Sequence, residues 1–154
     1  MNGRYIRNKQ NLYFTRHAES YGNVGQDRID SPLTETGVEQ AKKLIGHYDL
    51  IVCSPLRRAK ETLHYSQLTY DKLIICDQFR ERLMSNTDRM LLETQTSETD
   101  ETFWNRVWHF HHQLEDWSLQ YKSILLIGHG YFFNGWFRNG CFPNPQHAQV
   151  IELL

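Results

Sequence analysis

The chain has 154 residues, with 17 Lys or Arg against 18 Asp or Glu, so its formal net charge is −1 when the eight histidines are counted as neutral. This balance argues against a dedicated nucleic-acid or membrane-surface binder, because such proteins normally carry a basic excess. With 40% apolar and 23% charged residues, the composition is that of a folded globule, and the length predicts a single domain over residues 1–154.

The cysteines and the N-terminal stretch predict a cytoplasmic protein. Cys53, Cys76 and Cys141 are odd in number and widely spaced, which is typical of reduced thiols rather than of a secreted disulfide pattern. The first residues are polar and basic, and no apolar run approaches the roughly 18 residues of a membrane span. We therefore expect neither a signal peptide nor a membrane partner.

Short apolar runs alternate with amphipathic stretches along the chain. Four runs predict buried strands and a fifth predicts an edge strand: Leu12–Thr15, Leu50–Cys53, Leu73–Cys76, Ser123–Ile127 and Val150–Leu153. Helical spacing predicts one helix from the N-cap Thr34 through Val38, Ala41, Ile45 and Tyr48, and another through Phe103, Val107, Phe110, Leu114 and Trp117. Alternating strands and helices predict an α/β fold, a three-layer α/β/α sandwich around a mostly parallel sheet.

The segment from Ser85 to Glu101 has no convincing periodicity. It carries one basic residue, Arg89, against five acidic ones, which are Asp88, Glu93, Glu98, Asp100 and Glu101. We interpret it as a surface excursion in which Met90, Leu91 and Leu92 could anchor a short helix. Its acidic balance disfavours strongly polyanionic substrates, since like charges near a cleft repel them.

Polar residues follow the predicted strands, at the edge where open α/β sheets bind ligands. In chain order they are Arg16 and His17, then Ser54, Arg57 and Arg58, then Glu81, and finally His129 between Gly128 and Gly130. Arginines match phosphate oxygens bidentately, one imidazole can attack phosphorus, and a second can donate to the developing charge. A carboxylic acid can protonate the leaving alcohol and later deprotonate water. The set predicts phosphoryl transfer that needs no metal and no cofactor.

The sequence around this set resembles a known family. The stretch LYFTRHAESYGN at 12–23 is similar to the RHG signature of the histidine phosphatase superfamily, the phosphoglycerate-mutase-like group (branch 1). Three further blocks agree in order and rough spacing: DSPLTETGVEQA at 30–41, CSPLRRAKET at 53–62 and LLIGHG at 125–130. The resemblance covers nearly the whole chain. It implies a phosphoglycerate-mutase-like fold and a phosphomonoesterase of the histidine acid phosphatase type.

The resemblance also implies a role for each matching residue. The implied catalytic set is Arg16, His17, Arg58, Glu81 and His129. Phosphate or substrate contacts would come from Arg16, Ser20, Asn23, Arg58, His129 and Gly130. Within these sets His17 is the nucleophile that becomes a phosphohistidine, and Glu81 is the proton donor. The nearby Asp77 leaves the identity of the donor open.

The expected substrate is a small-molecule phosphomonoester or a phosphorylated protein side chain, with inorganic phosphate as a product. Two alternatives remain open: a phosphoglycerate-mutase-type phosphotransferase, and a non-catalytic phosphate-binding scaffold domain. Mutases of the family carry a longer and more basic insertion than the segment 85–101, which favours hydrolysis here. Ala18 stands where the family most often has glycine, a change that a small side chain permits. The oligomeric state is left open.

The remaining histidines and aromatic residues are interpreted as structural. Of His109, His111 and His112, only the first and last share a helix face, and no carboxylate or cysteine completes a metal-binding set. Core packing is expected for Trp104, Trp108 and Trp117, and burial for Cys53. Core packing is also expected for most of Tyr131, Phe132, Phe133 and Trp136, some of which could wall an apolar pocket for the leaving group.

Overall fold

Strands and helices alternate along most of the chain. The computed structural model describes residues 11–94, 96–140 and 142–154, so the predicted free thiol of Cys141 lies outside the described residues. The strands are β1 (Leu12–Arg16), β2 (Ile45–Cys53), β3 (Gln67–Ile75), β4 (Ile124–Gly128) and β5 (Ile151–Glu152). The helices are α1 (Glu35–Lys42), α2 (Arg57–Tyr65), α3 (Asn86–Leu91), α4 (Asp100–Gln120) and α5 (Gly130–Trp136). Among these described helices, none is long and apolar enough to cross a membrane.

A five-stranded sheet forms the centre of the molecule, in the order β3-β2-β4-β1-β5. The first four strands pair in parallel, whereas β5 pairs antiparallel with β1 at the edge. Because side chains alternate between the faces of a sheet, each strand contributes to two cores. Phe14 and Leu126 pack with α4 and α5, while Ile51 and Ile127 pack with α2 on the other face. The prediction of an α/β fold around a mostly parallel sheet is therefore confirmed.

Helix α4 buries one apolar stripe, as its spacing predicts. The stripe consists of Phe103, Val107, Phe110 and Leu114, all at most 1% exposed. The Thr99 side chain caps the helix by accepting a hydrogen bond from Thr102 N. The expectation that Trp104 and Trp108 pack in the core is wrong, since they are 38% and 47% exposed. Each follows a stripe residue by one position, and one position turns the helix by about 100°.

The first predicted helix is shorter than expected. Thr34 is its N-cap, as predicted, with the side chain accepting from Gly37 N. The helix ends at Lys42, however, and Ile45 and Tyr48 belong to β2. There β2 pairs with β3 from Ile45 opposite Gln67 onward, well before the predicted strands begin. Ile45 is 67% exposed, so it does not extend the buried face of the helix. Isoleucine and tyrosine are residue types that are common in strands.

The acidic segment does contain a short helix, α3. Its N-cap is Ser85, whose side chain accepts from Asp88 N. Met90 and Leu92 are 60% and 42% exposed, so these two residues do not anchor it as expected. Leu91 is half-buried, and among the described residues of the segment Asp88 and Glu98 are the buried ones. Polar side chains therefore take a large part in attaching the segment.

Two cysteines pack inside the protein. Cys53 and Cys76 are free and buried. Burial raises the pKa of the Cys53 thiol to about 12, which keeps it protonated and unreactive. The prediction that Cys53 is a packing residue is confirmed.

A buried arginine on α4 attaches the loop after β3 to the helix. Arg106 is 6% exposed and donates to both carboxylate oxygens of Glu98, from Nε at 2.9 Å and Nη2 at 2.8 Å. Its Nη1 donates to the carbonyl oxygens of Gln78 and Arg80 at 2.9 and 2.6 Å, and Nη2 reaches the Glu81 carbonyl at 3.3 Å. One guanidinium thus satisfies three carbonyls that the loop would otherwise bury unpaired.

The variant Glu98→Gln should lower the free energy of unfolding by about 3 kcal/mol, because it leaves the Arg106 charge buried without its counter-charge. Burial alone would raise the pKa of Glu98, but hydrogen bonds from Arg106 and Leu83 N hold it below the ordinary carboxyl value. The stabilisation is therefore present above the ordinary carboxyl pKa and is lost as the pH falls through the lowered one. Urea unfolding at neutral pH measures the difference.

The control is Glu39→Gln, which removes the same charge from the exposed pair with Lys42. That pair should contribute less than about 1 kcal/mol. Equal losses in the two variants would contradict the importance of the Arg106 contact.

Candidate active site

A cavity of about 240 Å³ lies at the carboxyl ends of the parallel strands. Six of the predicted site residues line it: Arg16, His17, Ser20, Asn23, Arg58 and Glu81. His129 lies just behind, with its ring centroid 5.2 Å from that of His17. The parallel pairing of β1, β2 and β4 brings these residues together, since it places the loops that follow the strands at one edge.

His17 is held as a neutral imidazole. Its Nδ1 lies 2.6 Å from the carbonyl oxygen of Ala18, and because a carbonyl only accepts, Nδ1 carries the proton. The lone pair is therefore on Nε2. Burial lowers the pKa of His17 well below that of an ordinary imidazole, and the positive charges of Arg58 and Arg16 lower it further. A neutral imidazole with a free Nε2 lone pair is a competent nucleophile.

His129 is completely buried. Its Nε2 lies 2.7 Å from Ser54 Oγ, while its Nδ1 has no hydrogen-bond partner within the described part of the chain. Burial and the charge of Arg58 lower the pKa of His129 well below the ordinary value. The residue after it, Gly130, does not line the cavity: a Cβ there would lie 2.5 Å from Asn144 Oδ1, so the glycine permits close packing instead.

The two neighbouring arginines on α2 have different surroundings. Arg58 lines the cavity, and its two terminal nitrogens each lie 3.5 Å from an oxygen of Asp88. Arg57 is exposed and pairs with Glu61 at 2.6 Å, away from the cavity. Arg16, from β1, donates from Nη1 to the Pro145 carbonyl at 3.3 Å. Three arginines therefore line the cavity, Arg16, Arg58 and Arg82.

Glu81 is fixed by the start of α5. Its two carboxylate oxygens accept hydrogen bonds from Tyr131 N at 3.0 Å and Phe132 N at 2.8 Å, and one also accepts from Arg82 N at 2.9 Å. Burial raises the pKa of Glu81 above the ordinary carboxyl value, although these bonds and the charge of Arg58 oppose the rise. Asp77 is exposed and does not line the cavity.

Ser20 and Asn23 reach the cavity as one unit. Asn23 Oδ1 accepts from both Ser20 N, at 2.8 Å, and Ser20 Oγ, at 2.9 Å. The pair closes the turn after β1, so capping and cavity lining are combined in the same two side chains.

Several residues of the cavity region were not predicted as site residues. The cavity lining also includes Asp27, Asp88 and Arg82, together with Tyr131, which the sequence analysis named as a possible wall for the leaving group. His147 donates from Nδ1 to the His17 carbonyl at 2.8 Å, and the two rings are 5.5 Å apart. In the sequence, Asp88 belongs to the acidic segment and Tyr131 to the aromatic run after His129, so both lie in stretches with a recognisable pattern. His147 belongs to no such pattern. Within that aromatic run, Phe132, Phe133 and Trp136 are buried, and Tyr131 alone is exposed to the cavity.

The histidines on α4 have structural contacts. His111 accepts a hydrogen bond from Trp136 Nε1 at 3.2 Å and lies 3.2 Å from Glu115. A different group, His47, Asp49 and Asp71, brings three ligand atoms within 4.8 Å of one another at the opposite end of the sheet. His47 in that group already pairs with Asp71 at 3.2 Å, so an ion pair accounts for the geometry.

Comparisons with known proteins give a family and a fold. Residues 12–121 match the model of the histidine phosphatase superfamily (branch 1). An uncharacterized phosphatase, PhoE, of Bacillus subtilis (strain 168) is 35% identical over 91 residues. That match covers 53% of this chain and 47% of PhoE, so it spans about half the length of this curated relative.

Two solved structures share the fold. The alpha-ribazole phosphatase from Shigella flexneri superposes with a TM-score of 0.69 and 22% identity, over 90% of this chain and 87% of that one. The phosphoglycerate mutase from Thermus thermophilus gives 0.59 and 19%, over 90% of each chain. A phosphatase and a mutase are thus both similar in fold, and the fold does not choose between their reactions.

Replacing Asp88 by Asn should tighten the binding of inorganic phosphate to the protein by about tenfold, because a bound anion no longer has to displace a carboxylate from Arg58. Isothermal titration with phosphate measures the dissociation constant. Glu93→Gln is the matched control, since it removes an exposed charge from the same segment without touching the cavity. Equal tightening in both variants would show that net charge matters rather than the Arg58 contact.

Proposed function

The chain belongs to the histidine phosphatase superfamily (branch 1), and from this premise we propose that it is a metal-independent phosphomonoesterase that acts through a phosphohistidine on His17. One observation carries the proposal: a neutral His17 with its lone pair on Nε2 lies in the same cavity as Arg58, Arg16 and Glu81. Nucleophile, cationic clamp and carboxylic acid are the three parts that hydrolysis through a covalent intermediate requires.

In the first step, Nε2 of His17 attacks the phosphorus of the substrate. The Nε2–phosphorus bond forms as the bond to the leaving oxygen breaks, and Glu81 gives its proton to that oxygen. Arg16 and Arg58 bind the non-bridging oxygens, where negative charge is concentrated in the transition state. The raised pKa of Glu81 keeps the acid form available at a higher pH than an ordinary carboxyl would.

In the second step, water attacks the phosphohistidine. Glu81, now a carboxylate, takes the proton of the water, and the electron pair of the Nε2–phosphorus bond returns to His17. Inorganic phosphate is released and both residues return to their starting state. His129 is uncharged because burial lowers its pKa, and its Nδ1 has no partner among the described residues, so we expect this nitrogen to donate a hydrogen bond to a phosphoryl oxygen rather than the ring to act as a second cation.

Hydrolysis is favoured over phosphoglycerate mutation by the charges in the cavity. Besides Glu81, two carboxylates line it, Asp27 and Asp88. Besides the phosphate that Arg16 and Arg58 would bind, a phosphoglycerate carries a carboxylate, and this carboxylate would meet like charge at Asp27 and Asp88. A binding-only role is less economical, because anion binding needs the arginines but not a desolvated neutral imidazole beside them.

The variant His17→Ala should abolish phosphatase activity and phosphohistidine formation, because it removes the neutral imidazole that accepts the phosphoryl group. Hydrolysis of p-nitrophenyl phosphate in the presence of a chelator measures turnover, and acid-labile labelling from a radioactive substrate measures the intermediate. The control His64→Ala removes an exposed imidazole outside the cavity. Full activity of a folded His17→Ala protein would disprove the mechanism.

The phosphatase activity should fall at both ends of the pH range, at low pH because His17 gains a proton and at high pH because Glu81 loses one. His17 stays neutral until the pH falls below its lowered pKa, so the acid limb lies below that of an ordinary imidazole. Glu81 loses its proton as the pH rises through its raised pKa, so activity towards poor leaving groups declines above that point. Steady-state kcat for ethyl phosphate across the pH range measures both limbs.

Glu81→Gln separates the acid role from the rest of the site. It should slow the cleavage of ethyl phosphate by about 100-fold or more, because a poor leaving group needs a proton donor. The first turnover of p-nitrophenyl phosphate should be nearly unchanged and appear as a burst, followed by slow hydrolysis of the phosphohistidine. Asp77→Asn is the matched control, and a larger effect there would transfer the acid role to Asp77.

A further inference from the structure

A second cavity, of about 280 Å³, lies directly beside the first. Its aromatic lining comes from three separate parts of the chain: Phe103 and Trp104 on α4, Tyr131 on α5, and Phe142 in the segment after α5. Trp104, Tyr131 and Phe142 are 38%, 38% and 52% exposed. Large apolar side chains that converge on a cavity and remain exposed are typical of a ligand site rather than of a core.

The two cavities share a wall. Arg82 and Tyr131 line both of them, and Arg82 Nη1 donates to Tyr131 Oη at 3.1 Å. Arg82 is held in place by Asp100 at 2.6 Å and by the Glu98 carbonyl at 3.2 Å. A ligand in the second cavity would therefore lie one side chain away from the proposed phosphate site.

Glu81 determines which way a substrate would extend. It is the proposed donor to the leaving oxygen, and its Oε2 accepts from Tyr131 N at 3.0 Å. The leaving oxygen must lie within hydrogen-bond reach of Glu81, and so beside Tyr131. Because Tyr131 lines both cavities, the second cavity is within reach of the rest of the leaving group.

The volume and the aromatic lining of the second cavity suit a ring system. A cavity of about 150 Å³ lined by apolar side chains holds one benzene ring, so this cavity has room for one or two fused rings. Gly135 lets α5 pack closely against the aromatic side chains of α4, since a Cβ there would lie 3.0 Å from Phe103 and 3.8 Å from Trp104. The Arg82 guanidinium lies 5.0 Å from the centroid of Phe103 and 5.5 Å from that of Tyr131, which adds a planar cation to the aromatic walls.

We propose that this second cavity binds the leaving group of the substrate, and that this group is an uncharged aromatic ring system of one or two rings. The inference rests on the proposed phosphatase function and names its substrate class, aryl or arylalkyl phosphate esters of small size. An uncharged group fits because Arg82, the cation of the wall, is already neutralised by Asp100. Aromatic rings fit because Trp104, Tyr131 and Phe142 offer edges and faces for packing.

Trp104→Ala should lower kcat/KM for 2-naphthyl phosphate by about tenfold or more, the effect of losing one aromatic wall, and should change that for ethyl phosphate by less than about twofold. Each comparison is made between variant and parent on one substrate, which cancels the difference in chemical reactivity between the esters. Trp108→Ala is the matched control, because Trp108 lies one turn further along α4, is similarly exposed and does not line the cavity. It should leave both values unchanged.

A binding measurement separates this inference from the mechanism. 2-Naphthol is titrated into the His17→Ala protein, in which the proposed nucleophile is removed. Its dissociation constant should rise when Trp104→Ala is added to this variant, and it should also rise when Phe142→Ala is added instead. If ethyl phosphate is hydrolysed but Trp104→Ala and Phe142→Ala affect neither naphthyl turnover nor naphthol binding, the aromatic subsite is disproved and the phosphatase stands. If neither ester is hydrolysed while naphthol binding depends on both side chains, the phosphatase proposal fails and the subsite stands.

Discussion

The buried ion pair between Arg106 and Glu98 is the contact on which the geometry of the candidate site depends. The loop after β3 contains no regular element long enough to hold itself in place, and its carbonyls point towards the interior. Arg106 accommodates this by donating to three of them while Glu98 balances its charge. Glu81, at the end of this loop, is thereby brought to the start of α5, whose backbone N–H groups bind its carboxylate.

The acidic segment 85–101 acts mainly as a source of counter-charges. Asp88 pairs with Arg58, Glu98 with Arg106, and Asp100 with Arg82. Of these three carboxylates, Asp88 lines the first cavity and Asp100 lines the second. A bound anion would have to compete with the Asp88 carboxylate for Arg58, and the Asp100 carboxylate balances the charge of Arg82 in the wall of the second cavity. The segment thus contributes one carboxylate to each cavity.

The sequence predicted the fold class and much of the candidate site. Strong local signals carried these predictions: the apolar runs of β1 and β4, the stripe on α4, the cap at Thr34, and the polar residues after each strand. Predictions failed where a residue's environment depends on distant chain. Ile45 and Tyr48 match a helical spacing, yet pairing with β3 draws them into a strand. The spacing of Trp104 and Trp108 is typical of core-facing helix positions, yet the rest of the protein covers only the neighbouring stripe of α4 and leaves both side chains exposed.

By itself, the sequence determined which chemical groups lie at the ends of the strands. It also determined that an α/β fold would bring those ends to one edge of the sheet. Both could be predicted because the hydrophobic period and the order of the motifs are properties of the linear chain. Only the tertiary structure decided that Asp88 faces the cavity and that Gly130 does not line it. It also placed His147 against His17, across a separation of 130 residues. The physical reason is that burial and charge pairing are set by which surfaces pack together, and no local pattern encodes the partner.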